Sequence, residues 1–343
     1  MDRSQLYLSN GYANMREIMS LPTPFIVCIG GRGTGKTYGA LGEVLTADPV
    51  PRFGLLRRTQ TQIDIITKPD FNPAGPLNRD LGLNIVTAPV SKYTGAFYHG
   101  NEEGRPTGPA IGYLFALSTF GNIRGFSAEL DLVIYDEFIP ESTARPIKDE
   151  GAALLNLYES LNRNRELYGR PPMKMVLLSN TNDLNSPILQ ALGVLDLCDR
   201  MARKNQWYGV SRSGMVTVIR LQDSPISERK KKTVLYRLQN EDFERMALGN
   251  AFSRDNYDHV RAQPLQEYRP LVTVAGITCY EHRSGEGRYY VTRAGAAAET
   301  YDDTPSEIKR FKAGWGWLWL ENLAGRVWYS DAASRLAFST IFC

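Results

Sequence analysis

The sequence predicts an α/β protein with a central, mostly parallel β-sheet, and three apolar runs carry this prediction. The run at residues 25–29 precedes a glycine-rich loop and a segment that can open a helix. The runs at residues 130–135 and 173–178 each end in polar or acidic residues. Buried parallel strands are apolar throughout, and their carboxyl ends meet at one edge of the sheet. We therefore expect a functional crevice at that edge.

The segment after the first run fits the phosphate-binding pattern G-x-x-x-x-G-K-[ST]. Its residues are Gly30, Gly31, Arg32, Gly33, Thr34, Gly35, Lys36 and Thr37. Glycines let the backbone wrap phosphate groups, and the N-terminus of the next helix adds positive potential there. Lys36 would reach the β- and γ-phosphates, and the Thr37 hydroxyl would ligate Mg²⁺. The loop therefore predicts ATP and Mg²⁺ as cofactors.

Two adjacent acids, Asp136 and Glu137, follow the second apolar run. We expect Asp136 to hold Mg²⁺ through water and Glu137 to polarise the attacking water, because neighbouring strand residues point in opposite directions. Phosphoryl transfer is mostly positioning and charge stabilisation, so a metal ion, Lys36 and a base suffice. Asn180, which ends the third run, is a candidate sensor of the γ-phosphate, although a strand followed by an Asx turn also explains it.

Two pairs of arginines have open roles. Arg57 and Arg58 end a predicted strand, where side chains face the ligand crevice, so either is a candidate contact to nucleotide or to a neighbouring subunit. A solvated strand end is the alternative. Arg163 and Arg165 lie at the end of a helix predicted over residues 151–167 and could stabilise transition-state charge in a neighbouring subunit. Cations on the negative pole of a helix are the plainer explanation.

The basic run Lys230, Lys231 and Lys232 is predicted to lie at the start of a helix. Lysines on a helix can contact DNA phosphates without reading sequence. The alternative is a solvated charged face.

Composition narrows the class of protein. The chain has 343 residues, 43% of them hydrophobic, so we expect a globular core and room for more than one domain. The net charge of +3 is too small to indicate nucleic-acid binding by itself. Four scattered cysteines and three scattered histidines do not predict a zinc site. No apolar run approaches the length of a membrane span, so we expect a soluble protein without a membrane partner.

Taken in chain order, these motifs resemble the genome-packaging ATPases of small podophages, relatives of the large terminase subunits. The motifs are the phosphate loop, the acids after the second run, residues 154–157 leading to 163–166, and residues 177–180. Residues 227–233 also look like the linker of that family. The resemblance covers most of residues 24–235.

The resemblance implies an additional-strand (ASCE) P-loop ATPase that works as a homo-oligomeric ring, usually a pentamer. Such a ring drives double-stranded DNA into an empty procapsid. Its place is the portal vertex in the host cytoplasm, against the portal or a packaging RNA or equivalent adaptor. By resemblance, Arg163 is the leading candidate for the finger that acts across the subunit boundary. The family's second cation of this kind has no match here, since Thr59 and Gln60 stand nearest. That role passes to Arg57, Arg58 or Lys68.

We expect an ATPase domain at residues 1–205, a linker domain at 206–250 and an α+β domain at 251–343. The resemblance implies an RNase-H-like fold for the last of these. A nuclease of this kind needs acids on its first strand to hold two metal ions. The first predicted strand here, 271–279, carries no carboxylate over residues 271–278. We therefore expect a nuclease-like domain without nuclease activity. Trp315, Trp317 and Trp319 alternate with other residues, which indicates a strand with one aromatic face or the edge of a helix.

Three other functions fit parts of the sequence. A terminase large subunit with a working nuclease would cleave plasmid with Mn²⁺. A P-loop kinase for a nucleotide or small molecule would release ADP only with a phosphoacceptor and would lack the arginine acting across subunits. An ATP-gated DNA clamp would bind DNA without hydrolysing ATP.

Overall fold

The structure is a computed structural model, and it describes residues 2–123, 125–140, 147–180, 186–221, 224–230, 233–234 and 259–342. The chain divides into two compact units. The first comprises Met1–Asp183 and Ala191–Ser253, and the second comprises Leu184–Gln190 and Arg254–Cys343. Each unit is described by itself.

The elements are numbered in chain order. The described α-helices are α1 (Met15–Ser20), α2 (Lys36–Leu45), α3 (Gln60–Ile66), α4 (Gly75–Leu81), α5 (Glu150–Asn162), α6 (Pro187–Ala191), α7 (Leu195–Arg203), α8 (Pro225–Lys230), α9 (Pro305–Trp315), α10 (Trp317–Leu323) and α11 (Ala332–Phe342). The described strands are β1 (Phe25–Gly30), β2 (Phe53–Arg57), β3 (Ile85–Pro89), β4 (Thr94–Gly100), β5 (Pro106–Ala116), β6 (Leu132–Asp136), β7 (Lys174–Asn180), β8 (Tyr208–Val210), β9 (Val216–Leu221), β10 (Tyr268–Val274), β11 (Ile277–His282), β12 (Tyr289–Thr292), β13 (Thr300–Tyr301) and β14 (Val327–Tyr329).

The first unit is built on a nine-stranded sheet in the order β3-β4-β5-β2-β6-β7-β1-β9-β8. The strands from β5 to β9 in this order pair in parallel, and antiparallel strands flank them at both edges. The predicted mixed α/β fold with a mostly parallel sheet is thus confirmed. The sheet also continues past the expected domain boundary at residue 205, because β8 and β9 belong to it. Residues 235–258, which include the end of the predicted linker, lie outside the described residues.

The central strands are apolar because they are buried on both faces. Strand β1 lies between β7 and β9, and Val27 is aligned with Leu177 and Val218 in register. All three side chains are fully buried. The same register aligns Gly30 with Asn180, so the glycine loop and the end of β7 leave the sheet side by side.

Helix α5 ends earlier than the predicted helix over residues 151–167. It stops at Asn162, and both Arg163 (φ 50°) and Asn164 (φ 54°) adopt left-handed backbone conformations. Two successive non-glycine residues rarely adopt this conformation unless surrounding contacts hold it. The Asn162 side chain supplies such contacts, since it accepts from the Met173 N–H at 2.8 Å and donates to Glu166 at 2.7 Å. A 3₁₀ turn, Arg165–Tyr168, follows.

The second unit contains a five-stranded sheet in the order β13-β10-β11-β12-β14. The single strand expected over residues 271–279 is wrong. A tight turn at Ala275 (φ 46°) and Gly276 (φ 77°) divides it into the antiparallel pair β10 and β11. Two successive positive φ values are the signature of a hairpin turn whose twist matches that of the strands.

The three alternating tryptophans lie on helices, so the expected strand with one aromatic face is wrong and the alternative of a helix edge is confirmed. Trp315 ends α9, and Trp317 and Trp319 lie on α10. The residue between the last two, Leu318, is buried, and Trp319 stacks on Phe342 with ring centroids 5.3 Å apart. These rings therefore serve packing within the second unit.

Candidate nucleotide site

The carboxyl ends of β1, β6 and β7 border a cavity of about 240 Å³ in the first unit. The cavity is lined by residues 33–38, Asp136, Glu137, Ser179 and Asn180. One surface therefore brings together all the predicted elements of the site: the loop, the acidic pair and the end of the third strand. This is the edge where ligands bind in open α/β sheets.

The loop has the conformation that its glycines permit. Gly33 (φ 72°) and Gly35 (φ 84°) both adopt backbone angles that favour glycine. Gly35 is followed at once by Lys36, the first residue of α2. The N-terminus of α2 therefore points its N–H groups toward the cavity, as an anion site requires.

The Lys36 side chain is buried beneath the loop, only 6% exposed. Its ammonium lies 2.9 Å from the Gly31 carbonyl, 3.0 Å from the Gly30 carbonyl and 3.3 Å from Asn180 Oδ1. Burial lowers the pKa of Lys36 to about 8, and the nearby carboxylate of Asp136 offsets part of this effect. Because neutral pH lies below this value, Lys36 carries a positive charge that it can offer to a phosphate.

Thr37 and Asp136 form the second part of the site. The Thr37 hydroxyl lies 2.9 and 3.0 Å from the two carboxylate oxygens of Asp136, which is buried. Mg²⁺ prefers oxygen ligands and is held in nucleotide sites by one or two protein groups together with phosphates and water. A hydroxyl and a buried carboxylate side by side therefore fit a Mg²⁺ site completed by a nucleotide.

Arg57 binds both acids of the predicted pair. Its Nη2 is 2.9 Å from Asp136 Oδ2, and its Nη1 is 2.5 Å from Glu137 Oε2. Glu137 adopts a left-handed backbone conformation (φ 57°), and its side chain is 53% exposed. The sequence left Arg57 open between a ligand contact, a subunit contact and a solvated strand end. The structure places it against the acids of its own chain.

Arg58, the neighbour of Arg57, points away from the site. Its Nε donates to Glu150 Oε1 at 2.6 Å, and the two side chains are 4% and 5% exposed. The expectation that Arg58 touches nucleotide or a neighbouring subunit is therefore wrong, because a buried guanidinium paired with a carboxylate is unavailable to either. The pair instead joins the end of β2 to the start of α5.

The two arginines after α5 have different surroundings. Arg165 is buried and pairs with Asp131 at 2.6 Å, beside the start of β6. Arg163 is exposed, and its guanidinium donates to the backbone carbonyls of Phe126 and Ser127. Residues 131 and 136 are separated by five steps along β6, a distance of about 16 Å. Arg165 is thus held away from the cavity of its own chain, and Arg163, two residues earlier, is the exposed one.

The positions considered for a second cation across the subunit boundary, and the first lysine of the basic run, lie elsewhere in the first unit. Thr59 caps α3, and Gln60 accepts a hydrogen bond from Thr119, so both have structural roles. Lys68 is exposed. Lys230 Nζ donates to the Arg32 carbonyl at 2.7 Å and therefore contacts the phosphate loop. Lys231 and Lys232 lie outside the described residues.

Two acids of the second unit form bonds with nearby residues of the same unit. Glu281 pairs with Arg269, and Asp302 accepts a hydrogen bond from the Thr304 N–H at 2.9 Å. Among the residues that the structure describes, no three Asp, Glu, His or Cys side chains are grouped so that they could hold a metal ion. The absence of nuclease activity stays a prediction.

Residues 110–268 match the family model described as Podovirus DNA encapsidation protein (Gp16). The expected resemblance to the packaging ATPases of small podophages is confirmed. Among curated proteins, no sequence matches the chain. In the part of the chain that the structure describes, no helix combines the length and apolar character needed to cross a bilayer.

Two solved structures are similar to nearly the whole chain. The Phi-28 gp11 DNA packaging motor is 19% identical over 96% of this chain and 97% of its own, with a TM-score of 0.63. The motor of the bacteriophage Phi-29 viral genome packaging assembly is 17% identical over 96% of this chain and 98% of its own, with a TM-score of 0.64. At these identities the likeness shows a shared fold.

The buried pair of Arg58 and Glu150 predicts a large effect on stability. Arg58→Ala leaves a carboxylate buried without its partner, so the free energy of unfolding should fall by about 3–5 kcal/mol in urea denaturation. Arg52→Ala is the matched control, because it removes an exposed guanidinium that pairs with Glu129 and Asp131. Exposed pairs contribute little, so its urea midpoint should stay near that of the unaltered protein. Equal midpoints for the two variants would contradict the structural role of the buried pair.

Proposed function

We propose that the protein is an ATPase that drives double-stranded DNA into a procapsid as one subunit of a homo-oligomeric ring. The observation that carries this proposal is the meeting of Lys36, the Thr37–Asp136 pair and Glu137 around one cavity. These are the charge, metal-ligand and base positions that phosphoryl transfer needs. The family match over residues 110–268 and the two packaging motors of the same fold support the DNA-packaging role.

Each residue has a proposed task in hydrolysis. The loop N–H groups and Lys36 bind the phosphates, and Thr37 and Asp136 hold Mg²⁺. When bound, the ion neutralises charge on the phosphate oxygens. Glu137 orients the attacking water and accepts its proton. Asn180 stands beside Lys36, within 3.3 Å of its ammonium, where it is placed to respond to the γ-phosphate.

The ring is proposed on separate grounds. Arg163 is exposed and does not line the cavity of its own chain, so its guanidinium is available to a phosphate in a neighbouring subunit. The resemblance to podophage ATPases favours a pentamer at the portal vertex in the host cytoplasm. The proposed partners there are the portal and procapsid, or a packaging RNA or equivalent adaptor. Arg165 has a structural partner, so Arg163 is the proposed finger, and Lys68 is the remaining candidate for a second cation across the boundary.

The competing functions have less support. The fold neighbours that span nearly the whole chain are packaging motors, which favours a motor over a kinase. An active terminase nuclease would need clustered acids. Glu281 and Asp302 instead bond to Arg269 and Thr304.

Lys36→Ala and Glu137→Gln should both abolish ATP hydrolysis, with different effects on binding. Lys36 supplies charge to the phosphates, so its removal should weaken ATP binding. Glu137→Gln keeps the shape but removes the base, so hydrolysis should fall by about 10²–10⁴-fold while ATP still binds. Phosphate release and equilibrium ATP binding measure the two effects. Normal turnover by Glu137→Gln would contradict the assignment of Glu137 as the base.

Arg163→Ala should bind ATP nearly normally but hydrolyse it about 10³–10⁵-fold more slowly, as when other ATPases lose such a finger. Arg170→Ala is the matched control, since Arg170 is also a partly exposed arginine after α5, paired with Glu129. Rings mixed from Arg163→Ala and Lys36→Ala subunits should regain activity, because an intact loop then meets an intact arginine. If mixed rings assemble but stay inactive, or if Arg163→Ala alone is fully active, the finger assignment is wrong.

The DNA contact is proposed for Lys231 and Lys232, because Lys230 contacts the phosphate loop. Replacing both with alanine should reduce the salt dependence of DNA affinity by about 0.9 in the slope of log K for each phosphate that a lysine no longer neutralises. Lys309→Ala with Lys312→Ala is the control pair, exposed on α9. Binding titrations over a range of salt concentrations give both slopes. A slope unchanged relative to the control pair would rule out the DNA contact.

A further inference from the structure

Helix α8 ends in a lysine whose ammonium lies on the phosphate loop. Lys230 Nζ donates to the Arg32 carbonyl at 2.7 Å, although the two residues are 198 positions apart. The ammonium is also close to the next residue, because a Cβ added to Gly33 would collide with it. A glycine at this position thus leaves room for the lysine ammonium.

The docking of α8 depends on a short segment near the N-terminus, residues 10–13. On one side of this segment, the Ser224 hydroxyl donates to the Gly11 carbonyl at 3.2 Å. A Cβ at Gly11 would lie 2.9 Å from the backbone nitrogen of Ile226, so the two stretches of chain touch closely. On its other side, the Ala13 N–H donates to the Thr34 carbonyl of the loop at 2.9 Å. One segment therefore contacts both α8 and the phosphate loop.

The positive charges at the phosphate loop favour the binding of an anion. Lys36, Arg32 and Lys230 all lie on or in the loop. Burial lowers the pKa of Lys230, and the nearby charge of Arg32 lowers it further. The charge of Lys230 in turn contributes to the lowered pKa of Lys36. Mutual repulsion among these cations is relieved when a polyanion binds among them.

We propose that Lys230 contacts the phosphates of a bound nucleoside triphosphate and thereby links occupancy of the loop to the docking of α8. The proposal rests on the nucleotide site proposed above. An ammonium has three donors, so it can keep the Arg32 carbonyl and still donate to a phosphate oxygen. A charge-assisted bond to phosphate is stronger than a bond to a neutral carbonyl, so nucleotide binding strengthens the hold on α8. By reciprocity, a docked α8 strengthens nucleotide binding by the same factor.

The consequence concerns the chain that follows α8. The basic run continues into Lys231 and Lys232, so nucleotide binding at the loop fixes the point from which the proposed DNA-contacting lysines extend. Lys230 is in this sense a positioning residue for α8 and a binding residue for nucleotide. No part of this role requires it to touch DNA.

Lys230→Ala tests the proposal in the full chain with β,γ-imido-ATP, an analogue that resists hydrolysis. Two quantities are measured: the dissociation constant, and amide hydrogen exchange over residues 224–230 with and without the analogue. We expect the dissociation constant to rise on the order of tenfold, within the usual range of coupling between sites. We also expect the analogue to protect residues 224–230 in the unaltered protein but not in Lys230→Ala.

Lys204→Ala is the matched control, because it also removes one lysine ammonium, but from an exposed residue that follows α7. It should retain both the affinity and the protection. Lys230→Arg, which keeps the charge, should retain part of the affinity.

The outcomes separate this inference from the proposed function. If the unaltered protein binds the analogue and Lys36→Ala does not, the nucleotide site stands. If Lys230→Ala then shows unchanged affinity and unchanged protection, the inference is overturned while the site remains. If Lys230→Ala instead lowers the salt slope of DNA binding without changing nucleotide affinity, Lys230 serves DNA and the inference is equally overturned. If the unaltered protein does not bind the analogue, both proposals fail.

Discussion

The parallel register of β1, β6 and β7 is the constraint on which the site depends. Gly30 is aligned with Asn180, and Asp136 with Leu178, so three strands end within two residues of a common edge. A shift of one residue in β6 would turn the Asp136 carboxylate to the other face of the sheet, away from the Thr37 hydroxyl. Since these strands are buried on both faces, their apolar side chains fix the register, and the polar ends take positions that packing has already determined.

Helix α5 is held in place by contacts near both of its ends. It begins at Glu150, which the buried ion pair with Arg58 ties to the end of β2, and it ends near Asp131, where Arg165 is paired. The helix is thus held at both ends by ion pairs with low exposure on the arginine side. Arg163 directly follows the last residue of α5 and lies two residues before Arg165, so the contacts that hold the end of the helix also restrict the position of Arg163. This exposed position is what the proposed contact to a neighbouring subunit needs.

Local motifs made much of this site predictable. The positions of Lys36 and Thr37 follow from the spacing of a loop between a strand and a helix, and that of Asp136 from the apolar run that it ends. The roles of Arg57 and Arg58 could not be separated, because adjacent strand residues face opposite sides and the partners, Glu137 and Glu150, lie far away in sequence. No local sequence pattern predicts the contact between Lys230 and the phosphate loop. The turn after Val274 was missed because Ala275 adopts a conformation usually given to glycine or asparagine.

The distribution of charge around the loop gives a physical reason why the proposed ATPase would respond to nucleotide. Lys36 is buried with a lowered pKa, and Lys230 lies over the same loop, so positive charge is concentrated beside the buried carboxylate of Asp136. In the proposed cycle, a bound triphosphate would reduce the repulsion among these cations, and hydrolysis with release of phosphate would restore it. Since α8 is joined to the loop through Lys230 and through residues 10–13, that change of charge acts on a segment that leads out of the sheet. In the proposed cycle, nucleotide would therefore act on α8 through the charge at the loop.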